Sequence, residues 1–381
     1  MKRKTPSKCA QILKYFQISI KWINMLYEIS EKVIRLENEG KKIIKFNLGD
    51  PDQPTPNEII EAACEAMKKG KTKYSSSAGE KPLRESLANI HGVSVDNVVI
   101  TAGSKWAIFA IMYLLLKKGE NVIIPTPHWT AYELTAKSLG IETKFLRTEL
   151  ESNWNIDPEK LDALIDDKTR LIILNNPNNP TSKVQDDKTV KKIVRIADDH
   201  EVTILSDEVY SDISFVKTKS VLDFSDNHIV VKSFSKTFAM TGWRVGYAIA
   251  DKELINKIVK LNQITLTNVP VFIQEAALKA LELRHEIIRM IREKYRKRAD
   301  LACSILSKTD LKFSKPEAPF YLFPKGEGLD SEKFAFELLD RGVAIAPGTS
   351  FGDYREHFRL ALTVSDDEVE LGLKIISEAL K

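Results

Sequence analysis

Residues 171–210 read LIILNNPNNPTSKVQDDKTVKKIVRIADDHEVTILSDEVY, and this stretch decides the fold. Leu171 to Asn175 is a short, continuous apolar run, the pattern of a strand buried on both faces. A polar turn and a helical pattern follow, and a second such run, Val202 to Asp207, closes the unit. Strand, helix and strand in this order form a βαβ unit, whose two strands lie parallel. The pattern continues outward in both directions. Val98 to Thr101, Asn121 to Pro125, Ile229 to Ser233 and Gly246 to Ala250 are further buried strands, with helical patterns in most of the gaps. The expected fold class is therefore α/β, a mostly parallel central sheet with helices on both faces.

After Lys252 the texture changes. A long charged helical stretch, centred on Glu282 to Ser307, leads to strands near Phe320 to Phe323 and His357 to Val364, then to a final helix from Asp366 to Leu380. A helix pattern at Met25 to Glu39 precedes the sheet. A chain of 381 residues exceeds what one core usually supports, so two domains are expected. The expectation is a large domain over 46–275 and a smaller α+β domain built from both chain ends, 1–45 and 276–381.

Composition narrows the classes of function. Hydrophobic residues make up 43% and charged residues 29%, ordinary for a globular enzyme. Lys and Arg exceed Asp and Glu by only four, which argues against a nucleic-acid partner. The basic cluster Lys2, Arg3, Lys4 and Lys8 reads as a solvated tail. Cys9, Cys64 and Cys303 form no C-x-x-C, so neither a zinc site nor a disulfide framework is indicated, and a cytoplasmic location is expected. The moderately apolar stretch from Cys9 to Ile29 is broken by Lys14, Lys21 and Glu28, so a helix packed on the body is expected there rather than a membrane span.

In open parallel sheets, ligands bind beyond the carboxyl ends of the strands. Those ends are polar in this chain: Gly103-Ser104, Pro127-His128-Trp129, Asn176-Pro-Asn-Asn-Pro180, Ser206-Asp-Glu-Val-Tyr210 and Ser233-Phe-Ser-Lys236. Singly each has a structural explanation. Ser104 can cap a helix, Asp207 likewise, Asn and Pro suit turns, Trp129 can simply pack, and Lys236, Arg244 or Arg359 can be ordinary surface or ion-pairing residues. Together a lysine, a carboxylate, a phenol, an amide, hydroxyls, an arginine and an aromatic at one sheet edge match the needs of a single cofactor.

The runs Ser233-Phe-Ser-Lys-Thr-Phe-Ala-Met-Thr-Gly-Trp-Arg-Val-Gly-Tyr247, Asn176-Pro-Asn-Asn-Pro-Thr181 and Ser206-Asp-Glu-Val-Tyr210 resemble the signatures of class I/II aminotransferases, the type I fold of pyridoxal-phosphate enzymes. The resemblance begins at Asn47-Leu-Gly-Asp-Pro-Asp-Gln-Pro-Thr-Pro56, continues through Lys73 to Arg84, and closes with Gly342 to Gly352 and Phe358-Arg-Leu-Ala361. It implies pyridoxal 5′-phosphate as cofactor, held by Lys236 as a Schiff base, with Lys236 also the proton shuttle. Asp207 would face the pyridine nitrogen, Asn179 and Tyr210 the phenolate oxygen, and Trp129 the ring face. Gly103, Ser104, Ser233, Ser235 and Arg244 would cradle the phosphate. Lys236, Asp207 and Tyr210 are thus the catalytic candidates.

By the same resemblance Arg359 would take the substrate's α-carboxylate, with Gly49 and Asn179 as neighbours. Tyr74 would reach the phosphate of a neighbouring subunit, implying a homodimer with shared sites, and Thr265 to Pro270 would cross over as well. Lys105 falls where some bacterial aspartate aminotransferases carry a lysine for a distal carboxylate. The implied reaction moves an amino group from an amino acid, aspartate among the candidates, to a 2-oxo acid such as 2-oxoglutarate. Aromatic or alanine-type transfer, a lyase on the same fold, and a ligand-sensing regulator remain alternatives. A nicotinamide dehydrogenase is disfavoured, because no G-x-G-x-x-G opens a helix after a strand. One departure stands out: the family usually places glycine after Asn-Pro-Thr, and this chain has Ser182.

Overall fold

The computed structural model describes residues 24–381; the basic cluster at Lys2 to Lys8, Cys9, and the apolar stretch as far as residue 23 lie outside the described residues. The strands, in chain order, are β1 (Ile44–Lys45), β2 (Val98–Thr101), β3 (Asn121–Thr126), β4 (Glu142–Arg147), β5 (Thr169–Asn175), β6 (Thr203–Asp207), β7 (Ile229–Ser233), β8 (Gly246–Ile249), β9 (Tyr321–Leu322), β10 (Val343–Ala344), β11 (Ala346–Pro347) and β12 (Phe358–Ala361). Seven of them form one sheet in the order β2-β8-β7-β6-β5-β3-β4.

Neighbours in this sheet pair in parallel except at β8, which runs antiparallel to both β2 and β7. All strands but β8 therefore bring their carboxyl ends to one edge. The apolar runs conceal a period of two. Ile172 and Leu174 pack with Ile100, Ile204 and Val230 on one face, while Leu171 and Ile173 pack with Val122, Leu205 and Val231 on the other. Each face is covered by helices, which is why both registers of each strand are apolar. The fold is thus the mixed, mostly parallel α/β arrangement expected.

The strands of this sheet stand within a residue or two of the sequence reading, with one addition. Glu142–Arg147 forms β4 at the sheet edge, pairing only with β3, and only Leu146 of it is buried. An edge strand wetted on both faces has no need of an apolar run, so its polar sequence hid it.

A second core gathers residues from both ends of the described chain. Ile29, Val33 and Leu36 of the helix Asn24–Asn38 meet Phe334 and Leu338 of Ser331–Asp340, and Val369, Leu373 and Ile376 of Asp366–Ala379. These spacings of three and four residues put one apolar stripe on each helix. β1 pairs in parallel with β10, and β12 lies antiparallel between β11 and β9. The long helix Arg284–Leu306 serves both cores, with Ile287, Ile291 and Tyr295 in the first and Ala299, Ala302 and Leu306 in the second.

Arg298 on that helix is buried and grips both carboxylate oxygens of Asp52, each at 2.9 Å, and Asp366 at 2.6 Å. The segment between β1 and the sheet is thereby tied beside the end of β12 by bidentate, charge-assisted bonds. Among the described residues no helix is long and apolar enough to cross a membrane.

Candidate active site

The carboxyl edge of the large sheet and the face of β12 enclose a cavity of about 750 Å³. Several elements supply its chemistry. β7 ends in Ser233, whose Oγ accepts the N–H of Ser235 at 3.1 Å and so starts the short helix Phe234–Thr237. That turn aims Lys236 into the cavity, where its Nζ donates to the carbonyl of Gly49 at 2.5 Å.

β6 ends in Asp207, which is 2% exposed. Its Oδ2 accepts the hydroxyl of Tyr132 at 2.7 Å and its Oδ1 the N–H of Val209 at 3.3 Å, with no cation among the described residues to balance the charge. Burial pushes this carboxyl up to about 6, against the pull of the Tyr132 bond. β5 ends in Asn175, whose Oδ1 accepts the N–H of Asn179 at 2.7 Å and fixes the turn that follows.

Arg359 on β12 is 4% exposed. Its Nη1 donates to Asn179 Oδ1 at 2.9 Å and its Nη2 to the carbonyl of Asn47 at 2.7 Å, while its Nε has no partner. The guanidinium lies 4.6 Å from the Tyr321 ring and 4.8 Å from that of Phe351. Burial penalises its charge, and its protein contacts include no carboxylate. Gly49 lines the same cavity, with its carbonyl taking Lys236 and its Cα against Tyr321, while the Asn47 carbonyl takes the arginine.

Tyr210 meets Tyr321 hydroxyl to hydroxyl at 3.0 Å, and burial raises Tyr210 well above its usual range, so it stays protonated. The helix Ser104–Leu115 starts at the cavity with Gly103 at φ +80°. A Cβ on Gly103 would stand 2.4 Å from Arg244 Nη2. Arg244 itself donates to the carbonyls of Thr241 and Ala102. It reaches this edge because β8 runs backwards and presents its amino end there, with Gly246 opposite both Thr101 and Ser233. Trp129 lies edge-on to Tyr132 at 5.5 Å, and the Lys105 ammonium sits 4.8 Å from its ring.

The cavity thus gathers Gly49, Ser104, Lys105, Trp129, Asn179, Asp207, Tyr210, Ser233, Ser235, Lys236, Arg244 and Arg359, with Gly103 against Arg244 behind them. Tyr74 is not among its walls and is 88% exposed. Sequence reasoning missed Tyr132, Tyr321, Asn175 and Phe351. Asn175 was the one within reach, as the last residue of a strand at that edge.

A model of the family described as aminotransferase class I and II matches residues 41–376. The chain belongs to that family. It is 37% identical to the aspartate aminotransferase of Thermococcus kodakarensis over 93% of each chain. Its structure is similar to that of the Thermus thermophilus aspartate aminotransferase with maleate, with a TM-score of 0.90, 31% identity, and coverage of 93% of this chain and 96% of that one. An aromatic aminotransferase from Pyrococcus horikoshii is similar at TM-score 0.86 and 30% identity, covering 92% of this chain and 98% of that one. The protein is therefore an aminotransferase enzyme, acting on amino acids and 2-oxo acids, of a family that uses pyridoxal 5′-phosphate.

The aminotransferase's own groups fit that cofactor. A buried carboxylate without a cation suits a protonated ring nitrogen, and a nucleophilic amine stands in the same cavity. Serine hydroxyls, an arginine and the open start of a helix suit a phosphate.

Proposed function

We propose that this aminotransferase moves the amino group of an acidic amino acid, aspartate foremost, to a 2-oxo acid such as 2-oxoglutarate. The observation that carries the proposal is one cavity holding the Lys236 amine, the uncompensated Asp207 carboxylate and the uncompensated Arg359 guanidinium.

When bound, the cofactor supplies an aldehyde for reversible linkage to amines and a ring that takes up the electrons left at the substrate α-carbon. Lys236 is the amine that holds it, steadied at Nζ by the Gly49 carbonyl. With its amine free, Lys236 Nζ would accept the proton leaving the substrate α-carbon and later return it, as general base and then acid. Asp207 would hold a proton on the ring nitrogen, and the Tyr132 hydroxyl keeps that carboxylate aimed. Tyr210 and Asn179 would donate toward the phenolate oxygen. Gly103, Ser104, Ser233, Ser235 and Arg244 would hold the phosphate, and Trp129 would cover the ring.

Arg359 binds the substrate α-carboxylate through its planar fork, kept in place by Asn179 and Asn47. Lys105 would pair with the distal carboxylate. In support, its charge is disfavoured first by partial burial and then by Arg244 and Lys236, a strain that an acidic substrate would relieve. The aspartate aminotransferases among the relatives support the same reading. A second reading, aromatic donors, is favoured by Trp129, Tyr321 and Phe351 in the walls and by the Pyrococcus neighbour.

Tyr74, exposed and apart from its own cavity, is proposed to complete the site of a second copy in a homodimer. We also propose the division into a large domain over 46–275 and a small one from both ends, and a cytoplasmic location. The test is direct. Protein loaded with the cofactor is mixed with single amino acids, loss of its visible absorbance is recorded, and oxo acids are added to restore it. Aspartate or glutamate leading supports the proposal; aromatic or small aliphatic donors alone would reject it.

A further inference from the structure

Ser182, the departure from the resemblance noted above, has φ +54°, in the left-handed region that favours glycine. A serine there costs conformational energy, so its hydroxyl should offer a return. It is 1% exposed, and all three of its polar groups are engaged. Its N–H donates to the carbonyl of Asn178 at 2.9 Å, and its own carbonyl accepts the N–H of Glu317 at 3.1 Å. Its Oγ accepts the N–H of Tyr321 at 3.1 Å.

That last bond has no substitute in the sheet. Tyr321 and Ala361 are register partners on β9 and β12, and Ala361 sends its N–H away from β9 to Phe46. The pair is therefore the kind that shares no ladder bond, and the Tyr321 N–H also points outward, where only Ser182 Oγ meets it. Glycine at 182 would relax the backbone and leave this buried N–H without a partner.

Tyr321 is the hub on the other side. Its hydroxyl meets that of Tyr210 at 3.0 Å, and its ring lies 4.6 Å from the Arg359 guanidinium. Its side chain is packed so closely on Gly49 that a Cβ there would fall 2.0 Å from the hydroxyl. Glu317 fastens the same segment. Its carboxylate takes the Val184 N–H at 2.8 Å and pairs with Lys183 at 3.1 Å, and its carbonyl takes the Phe215 N–H at 2.9 Å. The turn that carries Asn179 and the strand that carries Tyr321 are thus stitched together beside the arginine that both of them touch.

We propose that Ser182 is a positioning residue for substrate binding. Its hydroxyl sets Tyr321, and Tyr321 sets Arg359 to receive a carboxylate. The inference rests on the assignment of Arg359 to the substrate carboxylate. A loosened arginine grips ground state and transition state alike less well, so the effect belongs in KM rather than kcat.

The test uses Ser182→Gly and Ser182→Ala in the full chain, with Arg359→Lys as control. Gly removes the hydroxyl and relaxes the backbone, whereas Ala removes the hydroxyl alone, so Gly is the variant expected to fold at least as well. Both should raise KM for amino acid and oxo acid about fivefold, with kcat within about twofold. Amide hydrogen exchange over residues 317–322 should accelerate about tenfold in both, measured on the cofactor-free chain, a readout that needs no turnover. Wild-type KM in both variants, or unaltered exchange, would overturn the role of Ser182. Unchanged KM in Arg359→Lys would instead overturn the carboxylate assignment beneath it.

Discussion

Tyr132 donates its hydroxyl to Asp207 at 2.7 Å, with the two residues 1% and 2% exposed. It is the one side-chain donor to that carboxylate among the described residues, and it opposes the burial that holds Asp207 at about 6. Tyr132→Phe should raise the carboxyl further, weaken its hold on a protonated ring nitrogen, and lower kcat about tenfold, equivalent to ~1.4 kcal/mol. Asp207→Asn should cost kcat about a thousandfold or more, yet leave the cofactor-free chain as stable as before or more so, since an uncompensated buried charge is removed. Steady-state kinetics and thermal melts decide; a large fall in Tm with Asp207→Asn would mean that the carboxylate is structural.

Arg359 should not tolerate lysine. The three donors of an ammonium sit on one atom, so it cannot keep Asn179 and Asn47 and also grip a carboxylate with two parallel bonds, nor stack between Tyr321 and Phe351. Arg359→Lys is expected to raise KM for every amino and oxo acid by about a hundredfold, ~2.7 kcal/mol, on the scale of a lost charge-assisted bidentate contact. An effect confined to acidic donors would reassign this arginine to the distal carboxylate.

Stability should fall as the solution is acidified from neutrality. Burial, aided by Lys232 for His91 and Lys325 for His357, holds both imidazoles at about 4 against an ordinary 6.5. Between those values the unfolded chain binds protons that the folded chain refuses, so stability rises with pH across that window. Asp207 acts oppositely in the cofactor-free chain: held at about 6, it takes up a proton in the folded state before the unfolded state does. Urea midpoints should therefore drop from pH 7 to 4.5, less steeply in His357→Phe and more steeply in Asp207→Asn. The ring of His357 lies among Trp154, Phe323 and Tyr354 with neither nitrogen bonded, so phenylalanine suits the place. An identical slope in His357→Phe would sink the explanation.

Gly246 is where β8 passes between β2 and β7, and a Cβ there would lie 2.7 Å from the Lys232 carbonyl and 2.8 Å from Ser104 N. Its backbone conformation is ordinary, so the constraint is purely steric. Gly246→Ala should destabilise by about 2–3 kcal/mol, as overpacking among fixed backbone atoms does, and weaken cofactor retention by shifting Ser104. A melt and a cofactor titration would show both; wild-type values in each would refute the close approach.

The apolar runs and the polar residues directly after them were legible because both are local. A strand buried on both faces writes itself as a continuous apolar stretch, and a loop at its carboxyl end lies at the binding edge by topology. Lys236, Asp207 and Asn179 stand where such reading puts them, in one cavity. β4 was illegible because one neighbour and two wet faces ask little of its side chains.

What no stretch of sequence could give was the set of contacts between segments far apart in the chain. The reversed direction of β8 depends on hydrogen bonding to both neighbours, and it alone carries Arg244 to the cavity edge. Tyr132 reaches Asp207, Asn47 reaches Arg359, and Ser182 reaches Tyr321 only once helices, loops and a second sheet have packed. Local patterning fixes which residues form strands and which chemistry follows each. The partners of a buried hydroxyl or guanidinium are chosen by packing and by the need to satisfy every buried polar group, and these are properties of the whole folded chain.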